Sequence, residues 1–218
     1  MKKVTAVLFF SFLLLCGSAI ARAYEEGVQY LPIQPQPAMG TGDQVEVVEF
    51  FWYGCPHCRD FEPTVNRWSA ALPENVDFVQ IPVIFGQPGR PHPADLHAQV
   101  YYALEGMGEV ERMHQKLFEG IDASKTKLGT RAEIDAFLEE NGVDMAKFND
   151  AMSSFAVAAK VNRARALMRR YGIRGVPALV VDGRYRSGSG FTSYQDMTEV
   201  VDHVVDKVLA QRKAQASR

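Results

Sequence analysis

Cys55 and Cys58 stand two residues apart in the run Val47-Val48-Glu49-Phe50-Phe51-Trp52-Tyr53-Gly54-Cys55-Pro56-His57-Cys58. Thiols at this spacing can close a local disulfide, exchange it with another thiol, or contribute to a metal site. A proline directly after the first cysteine suits the first position of a helix, where its missing N–H is no loss. Cys55 would then sit at a helix N-terminus, among unpaired N–H groups and the positive end of the dipole, which stabilise a thiolate. His57 can donate to that thiolate or stand beside it as a positive charge. The more stable the thiolate, the better Cys55 leaves when another thiol attacks. Pro56 and His57 therefore favour a couple that donates disulfides over one that removes them.

Other uses of the pair fit less well. A zinc site needs further ligands, and the sequence has no second cysteine pair. His92 and His97 have an allowed mutual spacing, but 33 residues separate His92 from Cys58. Haem attachment needs histidine directly after the second cysteine, where Arg59 stands. As a structural staple, a bridge across two residues would constrain the unfolded chain weakly. No metal is expected. The remaining histidines, His114 and His203, read with His92 and His97 as surface or packing residues.

The elements that must position these thiols follow from pattern. Residues 45–51 read as an interior strand, β-branched and aromatic with both faces apolar toward its end. The helix from Pro56 carries Phe61, Val65, Trp68 and Leu72 on one stripe; Pro63 should kink it and Pro73 end it. Residues 76–85 read as a second strand, and residues 86–93 as a turn-rich connection. From 94 to 171 the pattern is helical, with a capping box at Thr130-Arg131-Ala132-Glu133 and stops at Asn141-Gly142 and Gly172. Strand character returns at 178–181, Asp182-Gly183 is a hairpin signal, and residues 184–187 form the return strand. A last helix spans 192–214. Residues 24–42 read as an extended arm with a short edge strand. The order β-α-β, a helical block, then β-β-α predicts an α/β thioredoxin fold with an inserted helical domain, and a C-x-x-C beside a βαβ pattern points the same way. The expected division is 24–92 and 172–218 for the two parts of the thioredoxin-like domain, and 93–171 for the insertion.

Residues 1–23 have the pattern of a cleaved export signal. Lys2 and Lys3 precede a run at 4–15 that is apolar apart from Thr5 and Ser11, and Ala21-Arg22-Ala23 matches a small-x-small cleavage site. The run is short for a spanning helix, and Leu15 before Cys16 is large for a lipoprotein signal. Removing Lys2, Lys3 and Arg22 takes the formal charge from −2 to −5. That does not favour nucleic acid or an anionic membrane surface as partner. Cleavage also removes Cys16, leaving the single pair in an exported chain. With 218 residues, 47% of them apolar and 23% charged, the core should be ample without staples.

FFWYGCPHC, the Phe61-Glu62-Pro63 that follows, and GVPALVVDGRY about 120 residues on together resemble the DsbA family of bacterial periplasmic thiol-disulfide oxidoreductases. The likeness spans most of the mature chain. It implies that Cys55 is the exposed, attacked thiol and Cys58 the buried resolving thiol. It implies that Pro177 is cis and packs against the disulfide, with Val176 offering backbone hydrogen bonds to an extended substrate strand. It implies no cofactor beyond the Cys55–Cys58 disulfide, exported proteins with free thiols as substrates, a DsbB-type membrane reoxidant, and a monomer. Glu49 matches a buried glutamate that the family places beneath the disulfide. Where members often carry a basic residue, on the next strand, this chain has Gln80. Glu49 should then lack a charged partner and be partly protonated at neutral pH through desolvation; the alternative is that it reaches the sheet edge and water. Arg59 and Asp60 also depart from the family pattern, which bears on the potential and not on the reaction. Residues Phe51, Trp52 and Tyr53 with the turn around Gly86 could add an apolar surface near the site, although most of these aromatics suit a core.

The expected function is a periplasmic dithiol oxidase. A disulfide reductase or isomerase is the alternative within redox chemistry, and residues 24–42 leave no room for the dimerisation domain isomerases usually add. A chaperone or binding module with an incidental cysteine pair is the alternative outside it.

Overall fold

The computed structural model describes residues 24–87, 89–123 and 128–217, with the side chains of 122 and 123 left out. The export-signal reading of residues 1–23 lies outside these. Among the described residues, five strands and seven helices follow one another as β1 (Tyr30–Pro32), β2 (Val45–Phe51), α1 (Pro56–Ser69), β3 (Val76–Pro82), α2 (Pro93–Gly106), α3 (Val110–Ala123), α4 (Arg131–Glu140), α5 (Met145–Met152), α6 (Phe155–Tyr171), β4 (Ala178–Val181), β5 (Tyr185–Ser187) and α7 (Tyr194–Ala216). The strands form one sheet in the order β1-β5-β4-β2-β3. Strand β2 is parallel to β3 and antiparallel to β4, so it is paired on both sides, as its doubly apolar sequence predicts. The arm contributes β1 at the edge, antiparallel to β5.

Alternation along β2 divides the core. Val45 and Val47 pack with Phe61 and Val65 of α1 and with Val200, Val201, Val204 and Val208 of α7. Val48 and Phe50 face the other way, toward Tyr171 at the end of α6. Helix α7 is rich in valine, which has modest helix propensity, so its 23 residues are held by this packing and by the Ser193 cap more than by intrinsic preference. The Thr130–Glu133 capping box is present, and Gly172 ends α6 with φ 65° in the left-handed region. Asp182 and Gly183 both have positive φ, and the Arg184 N–H donates to the Val181 carbonyl at 3.0 Å, the geometry of a tight hairpin turn. Among the described residues no helix is long and apolar enough to cross a membrane.

Several boundaries differ from the sequence reading. Helix α1 passes through Pro63 but stops at Ser69, and Leu72 lies beyond it. The closing turn is tightened by i→i+3 bonds from Ala71 to Trp68 and from Leu72 to Ser69, and the residue before Pro73 disfavours helical geometry. Strand β3 ends at Pro82 because β2 runs out: the Val83 N–H makes a last bond, 2.9 Å long, to the Phe51 carbonyl. Helix α7 starts two residues later than expected, after its Ser193 cap, and runs two residues further.

Candidate active site

Strand β2 delivers the chain to α1 through Trp52, Tyr53 and Gly54. A Cβ on Gly54 would overlap the Trp52 indole, which explains the glycine before the first cysteine. Cys55 is the N-cap of α1 in extended geometry, Pro56 opens the helix, and no side chain caps it. The first-turn N–H groups are thus left to the Cys55 sulfur. Cys58, Phe61, Glu62 and Val65 fall on the buried side of α1.

The two thiols are unlike. Cys58 is fully buried, while Cys55 keeps 8% of its surface. The resemblance implied a more exposed Cys55. Its small accessibility follows from the Val176 carbonyl, which accepts from its thiol at 3.4 Å. The Cys55 thiol is lowered from 9.0 to about 6, chiefly by the hydrogen bond from Cys58, then by the Cys58 and His57 backbone N–H groups and the His57 charge. The Cys58 thiol is pushed far up, first by burial and then by the same bond read from its other side. Both are free thiols.

Cys55 opens on a cavity of about 370 Å³ lined by Trp52, Pro56, Arg59, His92, Phe118 and Ile121, among others. A second cleft of about 400 Å³ is bounded by His57, Val176, Pro177, Phe191 and Tyr194. The Val176–Pro177 bond is cis, and the Tyr194 hydroxyl lies 3.4 Å from His57 Nδ1. Of the expected apolar surface, Trp52 does line the thiol cavity, while Phe51 and Tyr53 are buried core residues. The Gly86 turn belongs to a different cleft, and His92 with Pro93 takes the place expected for it. Trp52 is fixed from behind: its Nε1–H donates to His97 Nδ1 at 3.0 Å, so the other nitrogen of that ring is the donor to the Leu128 carbonyl at 2.8 Å. Burial lowers the His97 pKa, in keeping with a neutral ring.

Beneath the cysteines lies a buried polar layer. Glu49 has no exposed surface, which excludes the sheet-edge alternative. Its only donor among the described residues is the Gln80 amide at 2.9 Å, across the β2–β3 register. Burial, and secondarily the neighbouring Glu62, lift its carboxyl from 4.5 to about 8. Glu62, one turn beyond Cys58, is 1% exposed and meets His114 of α3 at 3.1 Å, and the opposite nitrogen of His114 meets the Tyr53 hydroxyl at 2.8 Å. Sequence reading placed Glu62 only within a motif and took His114 as surface or packing. An acid four residues after Cys58, on the inward stripe between Phe61 and Val65, was the available signal for Glu62. His114 sits between Met113 and Leu117 on the inward face of its helix, which marks burial and not a partner.

A cysteine pair at the start of the first helix of a βαβ unit, facing a cis-proline loop, with helices α2–α6 between β3 and β4, defines a thioredoxin-fold dithiol protein with a helical insertion. The model of the DSBA-like thioredoxin domain matches residues 46–202. The chain is 38% identical to the thiol:disulfide interchange protein DsbA of Burkholderia cepacia over 95% of this chain and 98% of that one. It is 34% identical to the DsbA of Pseudomonas syringae pv. tomato over 97% of each. The crystal structure of Pseudomonas aeruginosa DsbA superposes with a TM-score of 0.78 at 35% identity, covering 89% of this chain and 97% of that one. The chain belongs to the DsbA family of thiol:disulfide oxidoreductases.

Proposed function

We propose that this protein is a periplasmic dithiol oxidase that donates its Cys55–Cys58 disulfide to newly exported proteins. The observation that carries the reading is the asymmetry of the pair: a Cys55 thiol lowered to about 6 beside a Cys58 thiol driven far up. A reduced form stabilised in this way makes an oxidising couple. A substrate thiolate attacks Cys55, the Cys55–Cys58 bond breaks, and Cys58 leaves with the electron pair and takes a proton. The substrate's second thiolate then attacks its own sulfur in the mixed disulfide, and Cys55 leaves as a thiolate. Two electrons have passed from the substrate dithiol to the enzyme; of the two substrate protons, one is balanced on Cys58 and one is released.

In this reading Pro56 and His57 tune Cys55, and Glu49 serves proton movement at Cys58. The Val176–Pro177 loop receives an extended substrate segment; among the described residues the Val176 N–H has no hydrogen-bond partner, which leaves it free for a substrate carbonyl. The carrier of electrons is the cysteine pair, without a further cofactor or metal. Residues 1–23 act as a cleaved signal peptide for the periplasm. Residues 24–92 and 172–218 make the thioredoxin-like domain and 93–171 the insertion. The protein works as a monomer and is reoxidised by a DsbB-type membrane protein.

The deciding measurement is the equilibrium constant with glutathione. An oxidase gives a strongly oxidising value; a value near that of reducing thioredoxins would assign the chain to disulfide reduction instead.

A further inference from the structure

Two buried carboxyl groups lie close to one another under the cysteine pair, and their surroundings are unequal. Glu49 Oε2 receives one neutral amide, from Gln80 at 2.9 Å. Glu62 Oε1 receives two donors: the Asn66 amide at 3.0 Å and His114 Nε2 at 3.1 Å. The second oxygen of each carboxyl is buried without a partner among the described residues. His114 Nε2 also approaches Gln80 Nε2 at 3.4 Å. A protonated Nε2 cannot accept from that amide, and the shorter contact to an acid identifies the hydrogen on Nε2 as Glu62's. Nδ1 then accepts from the Tyr53 hydroxyl at 2.8 Å, and burial holds Tyr53 as the phenol. The ring cannot turn away: Phe51, Tyr53 and Phe118 stand edge-on to it at 5.1–5.2 Å between centroids.

We propose that His114 is a positioning residue of the dithiol site: its Nε2–H, given to Glu62, supplies that carboxyl with a second donor and leaves Glu49, with a single neutral amide, as the group that holds a proton beneath Cys58. The groups facing the imidazole are Glu62 of α1, Gln80 of β3 with Glu49 of β2 behind it, Tyr101 of α2, and Tyr53; on α3 itself Glu111, Arg112 and Lys116 point to solvent. Hydrogen bonds to an ionised carboxylate favour that form, and a dry site favours the acid, so the number of donors decides which of two neighbouring carboxyls keeps the proton. The helical insertion thus reaches into the chemistry of the cysteines through one side chain, compensating for the neutral Gln80. The proposal rests on the dithiol-oxidase reading only for its purpose, since carboxyl protonation is read without turnover.

The test is carbon NMR of reduced protein labelled at the glutamate carboxyl carbon, just below neutral pH. The wild type should show one buried protonated carboxyl, lost in E49Q and kept in E62Q. H114F should raise the count to two, because Glu62 keeps a single donor; H114Q, which restores an N–H at that place, should return it to one. An unchanged count in H114F overturns the proposal, as does a wild-type signal that disappears in E62Q and survives E49Q. If H114F does not fold, H114M, which also lacks an N–H at that place, should give the same count of two, and a count of one in it overturns the proposal. Failure of the oxidase reading would appear in the glutathione equilibrium and leave these counts as they are.

Discussion

The two ends of the central sheet each bury charge, and they do so in opposite ways. At the hairpin end, Arg212 donates to Asp182 at 2.6 Å and to the Gln44 carbonyl at 2.6 Å, and Arg184 donates to the Pro37 carbonyl at 2.7 Å and the Gln36 side chain at 2.6 Å. Permanent cations there meet an acid and backbone oxygens, and the result ties the arm, the β4–β5 hairpin and α7 together. At the cysteine end, Glu49 and Glu62 share a buried layer with a histidine and amides and, among the described residues, with no lysine or arginine. Charge paired with a permanent cation in this way fixes structure, although burial still raises the Asp182 carboxyl. The Glu49 carboxyl, which has no cation beside it, has its proton affinity moved into the working range, and the helix start and the Cys58 bond do the same for Cys55. One end of the sheet is built to stay as it is; the other is built to exchange protons and electrons.

The largest effect expected is from Cys55→Ala, which should abolish oxidation of a dithiol peptide while leaving the fold and the hairpin end intact. A variant that still oxidised the peptide would remove the cysteine end from the chemistry altogether. Next comes a pH effect on stability. The folded protein binds the Glu49 proton more tightly than the unfolded chain does, with the carboxyl at about 8 against 4.5. The unfolding free energy should therefore fall as pH rises from about 4.5 to about 8 and level off above that, by a total on the order of 5 kcal/mol. E49Q should flatten this slope in urea titrations across the range, and a slope that persists would place the responsible group elsewhere.

Arg212→Leu attacks the other end. It strands Asp182 without its cation and should cost about 3 kcal/mol of stability, with the thiolate absorbance midpoint of Cys55 unmoved because the sites share no partner. A shifted midpoint would show that the two ends are coupled. The smallest effect is expected from His57→Pro, which removes a charge beside Cys55: the glutathione equilibrium constant should become roughly tenfold less oxidising. An unchanged constant would leave the helix N-terminus and the Cys58 bond as sufficient causes.

Much of this architecture is written locally. The C-x-x-C at a strand-to-helix turn, the capping box at Thr130, the Gly172 stop and the Asp182-Gly183 turn are short-range signals, and each appears where expected. Glu49 was legible because an acid inside an apolar strand has to be explained. Element ends were less legible. Strand β3 stops where its partner stops, a fact about β2 that no residue of β3 carries. His114 was legible as an inward-facing residue of α3, yet 51 residues separate it from the Glu62 that gives it a role.

The sequence by itself therefore determined the reactive pair, its place at a helix start, and the order of elements around it, because spacing, caps and turns act over a few residues. Only the tertiary structure decided how the thiols differ and which acid keeps its proton. Those depend on how much water is excluded and which donors arrive from α1, α3 and β3, and burial and hydrogen-bond geometry exist only once distant segments are packed together.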